Sequence, residues 1–117
     1  MPKNSIEILY HIKDECNYLM ELLNDDLTKD KLLNDQNLKR AVVRSLEIIG
    51  EASKKISADE KLKWKNIPWK NMTGMRDRLI HDYFGVNYSI VWDVIKNKIP
   101  DIYAEIQAII EDSKINE

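Results

Sequence analysis

The stretch Gly74-Met75-Arg76-Asp77-Arg78-Leu79-Ile80-His81-Asp82-Tyr83-Phe84-Gly85 gathers two arginines, two aspartates, a tyrosine and one of the chain's two histidines. Arginine with histidine, and no dedicated nucleophile, suits metal-independent cleavage of RNA. A histidine titrates near neutrality and can move the proton of a ribose 2′-hydroxyl or of the leaving oxygen. An arginine offers a fixed fork of donors to the phosphate charge that builds in the transition state. Arg76 is therefore the candidate phosphate binder and His81 the candidate proton carrier. Asp77 is expected to orient or tune one of them. No metal site and no cofactor are expected.

On a helix, at roughly 100° per residue, Arg76 and Tyr83 lie seven apart and within about 20° of one face. Asp77 and His81 are four apart and stack, so the carboxylate can accept a hydrogen bond from the imidazole. Arg76 and His81 are five apart, about 140° around the cylinder, and one straight helix points them in different directions. They converge if the helix ends near His81, with Gly85 as terminator, or if two copies face each other across a dimer axis. The homodimer is the expected solution, because its symmetry brings both copies of each side chain into one cleft. Spacing alone also accommodates a plainer arrangement, a helix end with surface ion pairs and a partly buried histidine.

The elements that must position these residues read as amphipathic helices. A first helix is expected from a cap at Asn4 or Ser5 to about Leu23, with Leu9, Ile12, Cys16, Leu19 and Leu23 on one stripe. Asn24-Asp25-Asp26 breaks it, and a helical turn follows around Thr28 to Leu33. Asp35 should cap a helix to about Ile56. Its stripe of Leu38, Val42, Ser45, Ile49, Ala52 and Ile56, flanked by Val43, Leu46 and Gly50, is wide enough for a core and a second contact such as a dimer partner. Gly50 in mid-helix costs about 1 kcal/mol against alanine, which suggests a close backbone approach. Glu47 and Glu51, one turn apart, read as a solvated face. Ser57 to Asn66 reads as a lysine-rich connection. Pro68 suits the first turn of the motif helix, which should stop near Tyr83 to Gly85. Gly74, two residues before Arg76, leaves room for a backbone or a phosphate to approach or eases helix packing, the latter being the stronger expectation. Asn87 should cap the last helical region, where Ile95, Ile99, Ile102, Ile106 and Ile109 form a stripe and Pro100 kinks the helix or starts a new one. No sustained two-residue alternation appears. The expected fold is an all-α, up-and-down bundle of four or five helices.

A chain of 117 residues with 44% apolar and 32% charged residues fits a single soluble domain over residues 1–117, with a frayed tail at about 111–117. No apolar run approaches the roughly 18–20 residues that cross a bilayer, and no signal peptide is apparent, so a cytoplasmic protein is expected. The single cysteine, Cys16, is expected in the core. Net charge is −2, but Lys54 to Arg78 carries eight basic residues against Asp59, Glu60 and Asp77, a local +5. Within this segment Lys65, Lys70 and Arg78 are candidate RNA contacts. Trp64 and Trp69 offer stacking faces for bases, although packing in the bundle is the stronger expectation.

The string GMRDRLIHDYFGVNYSIVWDVI, with the upstream RSLEIIGEASKKI and IPW, resembles the HepT family of small HEPN-domain proteins from about Ile6 to Ile110. That family is marked by an arginine, four residues, a histidine, one residue and a tyrosine, matched here by Arg76, His81 and Tyr83. Asp82 stands where a glycine is common in the family. The resemblance implies a HEPN-like fold and the RNase toxin of a toxin–antitoxin pair. It also implies a minimal nucleotidyltransferase as antitoxin partner, which carries ATP and Mg²⁺ and silences the toxin by attaching AMP to Tyr83. Two alternatives remain at this level. One is a non-catalytic HEPN bundle that serves as docking or nucleotide-binding partner of the nucleotidyltransferase. The other is a dimerisation module in which Arg76, Asp77 and His81 form an interface salt-bridge network.

Overall fold

The computed structural model describes residues 3–81 and 85–115, with side chains from Ser5 onward. Asp82, Tyr83 and Phe84 lie outside the described residues. The chain forms α1 (Lys3–Asn24), α2 (Lys29–Leu33), α3 (Gln36–Lys54), α4 (Ala58–Lys63) and α5 (Trp69–His81). It continues as α6 (Tyr88–Asp93), a π-helical turn (Val94–Lys98) and α7 (Ile99–Ile115). No strand occurs among the described residues. Four long helices, α1, α3, α5 and α7, make the all-α bundle, and the short segments link them.

The stripe on α1 is what closes the core. Leu9, Ile12, Cys16 and Leu19 step by three and four and are fully buried, while Leu23 is half-buried. From α7 the bundle receives Ile99, Ile102, Ile106 and Ile110, with Ile95 from the π-helical turn. The last buried position is Ile110; Ile109 packs only partly against the core. On α3, Val42, Ser45, Leu46, Ile49, Gly50 and Ser53 are buried. The width of this stripe has an explanation inside the chain, since α3 packs against α1 on one side and α5 on the other.

Helix ends follow local chemistry. The Asp35 carboxylate accepts from the Leu38 N–H at 3.0 Å and caps α3. Asn87 accepts from the N–H groups of Ser89 and Ile90 and caps α6. After α1 the chain turns through Asp26, whose φ of 66° is a left-handed conformation that aspartate tolerates better than most residues. Pro68 stands one residue ahead of α5, and its carbonyl accepts from the Met72 N–H, so it occupies the cap rather than the first turn. Pro100 lies in the first turn of α7, directly after the π-helical turn. The backbone stays helical through Asp93 and Ile99, so the coil runs on without a break, and the widened π-helical turn accommodates the N–H that proline lacks.

Three local expectations are corrected. Ser5 is inside α1, not its cap, and its hydroxyl donates to Glu60. The lysine-rich connection contains α4: the Ser57 hydroxyl accepts from the Glu60 N–H at 3.2 Å and donates to Glu60 Oε1 at 3.0 Å. Ser57-x-x-Glu60 is a capping-box spacing, and the surrounding charge obscured it. Gly74 is exposed, and a Cβ there would meet nothing within 4 Å, so it eases no packing within the chain.

Candidate active site

Arg76 is held from below by α3. A Cβ built at Gly50 would collide with the Arg76 Cβ and lie 2.7 Å from the Met72 carbonyl oxygen. Only a glycine lets the two backbones come this close, and that approach fixes where the Arg76 side chain leaves α5. The guanidinium then runs toward the surface, with the side chain 25% exposed. Its Nη1 donates to Asp77 Oδ1 at 3.0 Å. Its Nε is buried with no hydrogen-bond partner among the described residues.

The same carboxylate oxygen accepts a second donor. Lys54 Nζ, from the last turn of α3, donates to Asp77 Oδ1 at 2.7 Å. Two cations thus share one carboxylate, and the cluster of Lys54, Asp77 and Arg76 keeps a net positive charge. The hydrogen bond from Lys54 first, and that from Arg76 second, hold the Asp77 carboxyl below the usual carboxylate range. Asp77 does not turn to His81: its described partners are Lys54 and Arg76. Position i+4 made the imidazole reachable, but two full cations offered the carboxylate stronger partners.

His81 is the last residue of α5 and is exposed. Since α5 is unbroken from Arg76 to His81, the two side chains leave it about 140° apart, and a single copy does not bring them together. Tyr83 falls outside the described residues. Arg78, Lys65 and Lys70 are all exposed, on or just before α5. Arg78 also lines a cleft of about 390 Å³ beside the C-terminal turn of α5, shared with Met75, Leu79, Asn87 and Ile90. A larger cleft of about 560 Å³, mostly apolar and lined by Leu46, Met72, Met75 and Ile102, contains none of Arg76, Asp77 or His81.

Trp64 and Trp69 are buried, and the Trp69 indole N–H donates to the Trp64 carbonyl at 3.0 Å. Both rings are core side chains, not stacking platforms. Glu47 pairs with Arg44 on its own helix at 3.5 Å. Lys54 joins the candidate site only through the fold, by crossing from α3 to Asp77. The available signal was its spacing: Lys54 follows Gly50 by four, so a face of α3 that touches α5 at Gly50 presents Lys54 one turn along.

The described fold is an all-α helical bundle, and the comparisons with known proteins supply its class, a ribonuclease-type domain. The model of the family described as Ribonuclease HepT-like matches residues 12–109, and the chain belongs to that family. A protein of Methanocaldococcus jannaschii, proposed by its name to be an RNase, is 44% identical over 113 residues, 96% of this chain and 93% of its own. One from Caldanaerobacter subterraneus, named in the same way, is 43% identical over 106 residues, covering 91% and 94% of the two chains. A Thermococcus cleftensis protein named "Probable ribonuclease HepT" is 41% identical over 91 residues, 78% of this chain and 83% of its own. No solved structure shows significant similarity. No helix is long and apolar enough to cross a membrane among the described residues.

Proposed function

We propose that this protein is a metal-independent endoribonuclease, the toxin of a toxin–antitoxin pair, acting in the cytoplasm as a homodimer and a single domain. The observation that carries the reading is the position of Arg76: its guanidinium is fixed by Gly50 and Asp77 on the helix that ends in the exposed His81. In a dimer, Arg76 binds the scissile phosphate and stabilises its extra negative charge as the 2′-oxygen attacks phosphorus. One His81 takes the 2′-hydroxyl proton and returns a proton to the departing 5′-oxygen. The products are a 2′,3′-cyclic phosphate and a free 5′-hydroxyl. Lys65, Lys70 and Arg78 hold the flanking RNA backbone.

Regulation rests on Tyr83 and on the family resemblance. A minimal nucleotidyltransferase using its own ATP and Mg²⁺ attaches AMP to the Tyr83 hydroxyl. The adduct places bulk and negative charge where an RNA phosphate must sit. The divergence of Arg76 and His81 on one helix favours a second reading, in which the bundle is a non-catalytic docking or nucleotide-binding partner of the transferase. Mixed dimers separate the two. Neither Arg76→Ala nor His81→Ala alone should cleave RNA, whereas dimers reassembled from the two should regain part of the activity, since one arginine and one histidine then share the cleft. Active wild type without recovery in mixed dimers would refute the shared cleft. AMP transfer to wild type but not Tyr83→Phe, with no cleavage by any form, would favour the docking reading.

A further inference from the structure

We propose that Lys54 is a positioning residue for Arg76, acting through Asp77. The inference rests on the ribonuclease reading above and adds to it a residue outside the Arg-x₄-His motif.

Three observations carry it. Lys54 Nζ at 2.7 Å and Arg76 Nη1 at 3.0 Å share Asp77 Oδ1, so the carboxylate links the end of α3 to the Arg76 guanidinium. Lys54 ends the helix whose Gly50 meets Arg76 at its Cβ, so one face of α3 touches the Arg76 side chain at its root and reaches its tip through Asp77. The Arg76 Nε is buried and unpaired among the described residues, which leaves the bond from Nη1 to Asp77 as the described polar contact that sets the plane of the guanidinium.

Charge points the same way. Asp77 alone would neutralise Arg76 and compete with an incoming phosphate for its fork. With Lys54 on the same oxygen, the carboxylate is shared between two cations, and Arg76 retains charge for the phosphate while keeping its orientation. Lys54 thus acts on the reacting groups only through Asp77.

The test compares wild type with Lys54→Gln, Lys54→Ala and Lys54→Arg in the full-length dimer, by RNA cleavage kinetics and by the ¹⁵N-detected Nε–H signal of Arg76, assigned by its loss in Arg76→Lys. Lys54→Gln keeps much of the aliphatic stem, so it serves if Lys54→Ala folds poorly. The expected result is a roughly tenfold fall in kcat with KM within about twofold, as for a catalytic group misplaced by a fraction of an ångström. The Arg76 Nε–H signal should broaden through faster exchange with water, and Lys54→Arg should restore both. A wild-type kcat and a sharp signal in Lys54→Gln would overturn the proposal. A rise in KM alone, removed by salt, would overturn it too, by making Lys54 a direct RNA contact. If wild type itself cleaves no RNA, the ribonuclease reading fails, and the Nε–H signal still decides whether Lys54 holds Arg76.

Discussion

Replacing Gly50 with alanine should cost stability, although alanine is the better helix former. The gain from propensity in a helix interior is about 1 kcal/mol. Against it stands the clash of the new methyl with the Arg76 Cβ and with the Met72 carbonyl oxygen at 2.7 Å. Neither obstacle is the far end of a flexible side chain, so α5 as a whole must move. Overpacking of this kind costs about 1–3 kcal/mol, and a backbone obstacle places it near the upper end. The net destabilisation is then about 2 kcal/mol. For 117 residues the unfolding entropy is about 250 cal/mol/K, so Tm should fall by about 8 °C. Thermal melts followed by circular dichroism at fixed protein concentration read this directly. An unchanged or raised Tm for Gly50→Ala would refute the claim that α3 and α5 meet at this glycine. It would also remove the argument that the contact fixes the root of Arg76.

Gly74→Ala is the opposite case: with open space around its missing Cβ, it should raise Tm by about 4 °C, the propensity gain of about 1 kcal/mol on the same entropy scale. Ser5→Ala removes a hydroxyl that donates to the buried Glu60 carboxylate, whose Oε2 already lacks a partner; a loss of about 1–3 kcal/mol is expected in urea unfolding. Burial first, and Glu15 second, push the Cys16 thiol up to about 12, so at pH 8 a thiol reagent should label it only after unfolding, and rapid labelling of native protein would contradict its place in the core. The Asp77 carboxyl is held below its ordinary value, first by Lys54. Its ion pairs are therefore present above the unfolded value of about 3.9 and are lost only as pH falls through the lowered folded value. Asp77→Asn should accordingly lower the activity plateau without moving an acid limb lying between about pH 5 and 8; a limb displaced by Asp77→Asn would show that Asp77 titrates in the working range.

Much of the architecture was legible because long helices repeat their signals. Leu9, Ile12, Cys16 and Leu19 state one buried face four times over, and Asp35 and Asn87 announce helix starts through a side chain that the backbone needs. Short elements offer a single signal each. The Ser57–Glu60 cap lies among lysines that mask its pattern, and Ser5, a good cap by type, sits within α1 and bonds Glu60, a residue 55 positions away. Glycine carries the least information of all. Gly50 and Gly74 look alike in sequence, yet one sits against Arg76 and the other faces open space. The candidate site divides in the same way. Arg76, Asp77 and His81 announce themselves by spacing, whereas the partner of Asp77 depends on which residue of α3 crosses α5, a tertiary fact that placed Lys54 where His81 was expected.

On the proposed function, Arg76 and His81 cleave RNA without a metal. Cleavage of total cellular RNA in EDTA by wild type, Arg76→Ala and His81→Ala, with product ends identified and thermal melts matched, measures it most directly. Wild type should leave 2′,3′-cyclic phosphate ends, and each variant should fall by at least about a hundredfold, the range for loss of one acid–base or charge-stabilising group. Equal cleavage by all three proteins, or none by wild type, would contradict it.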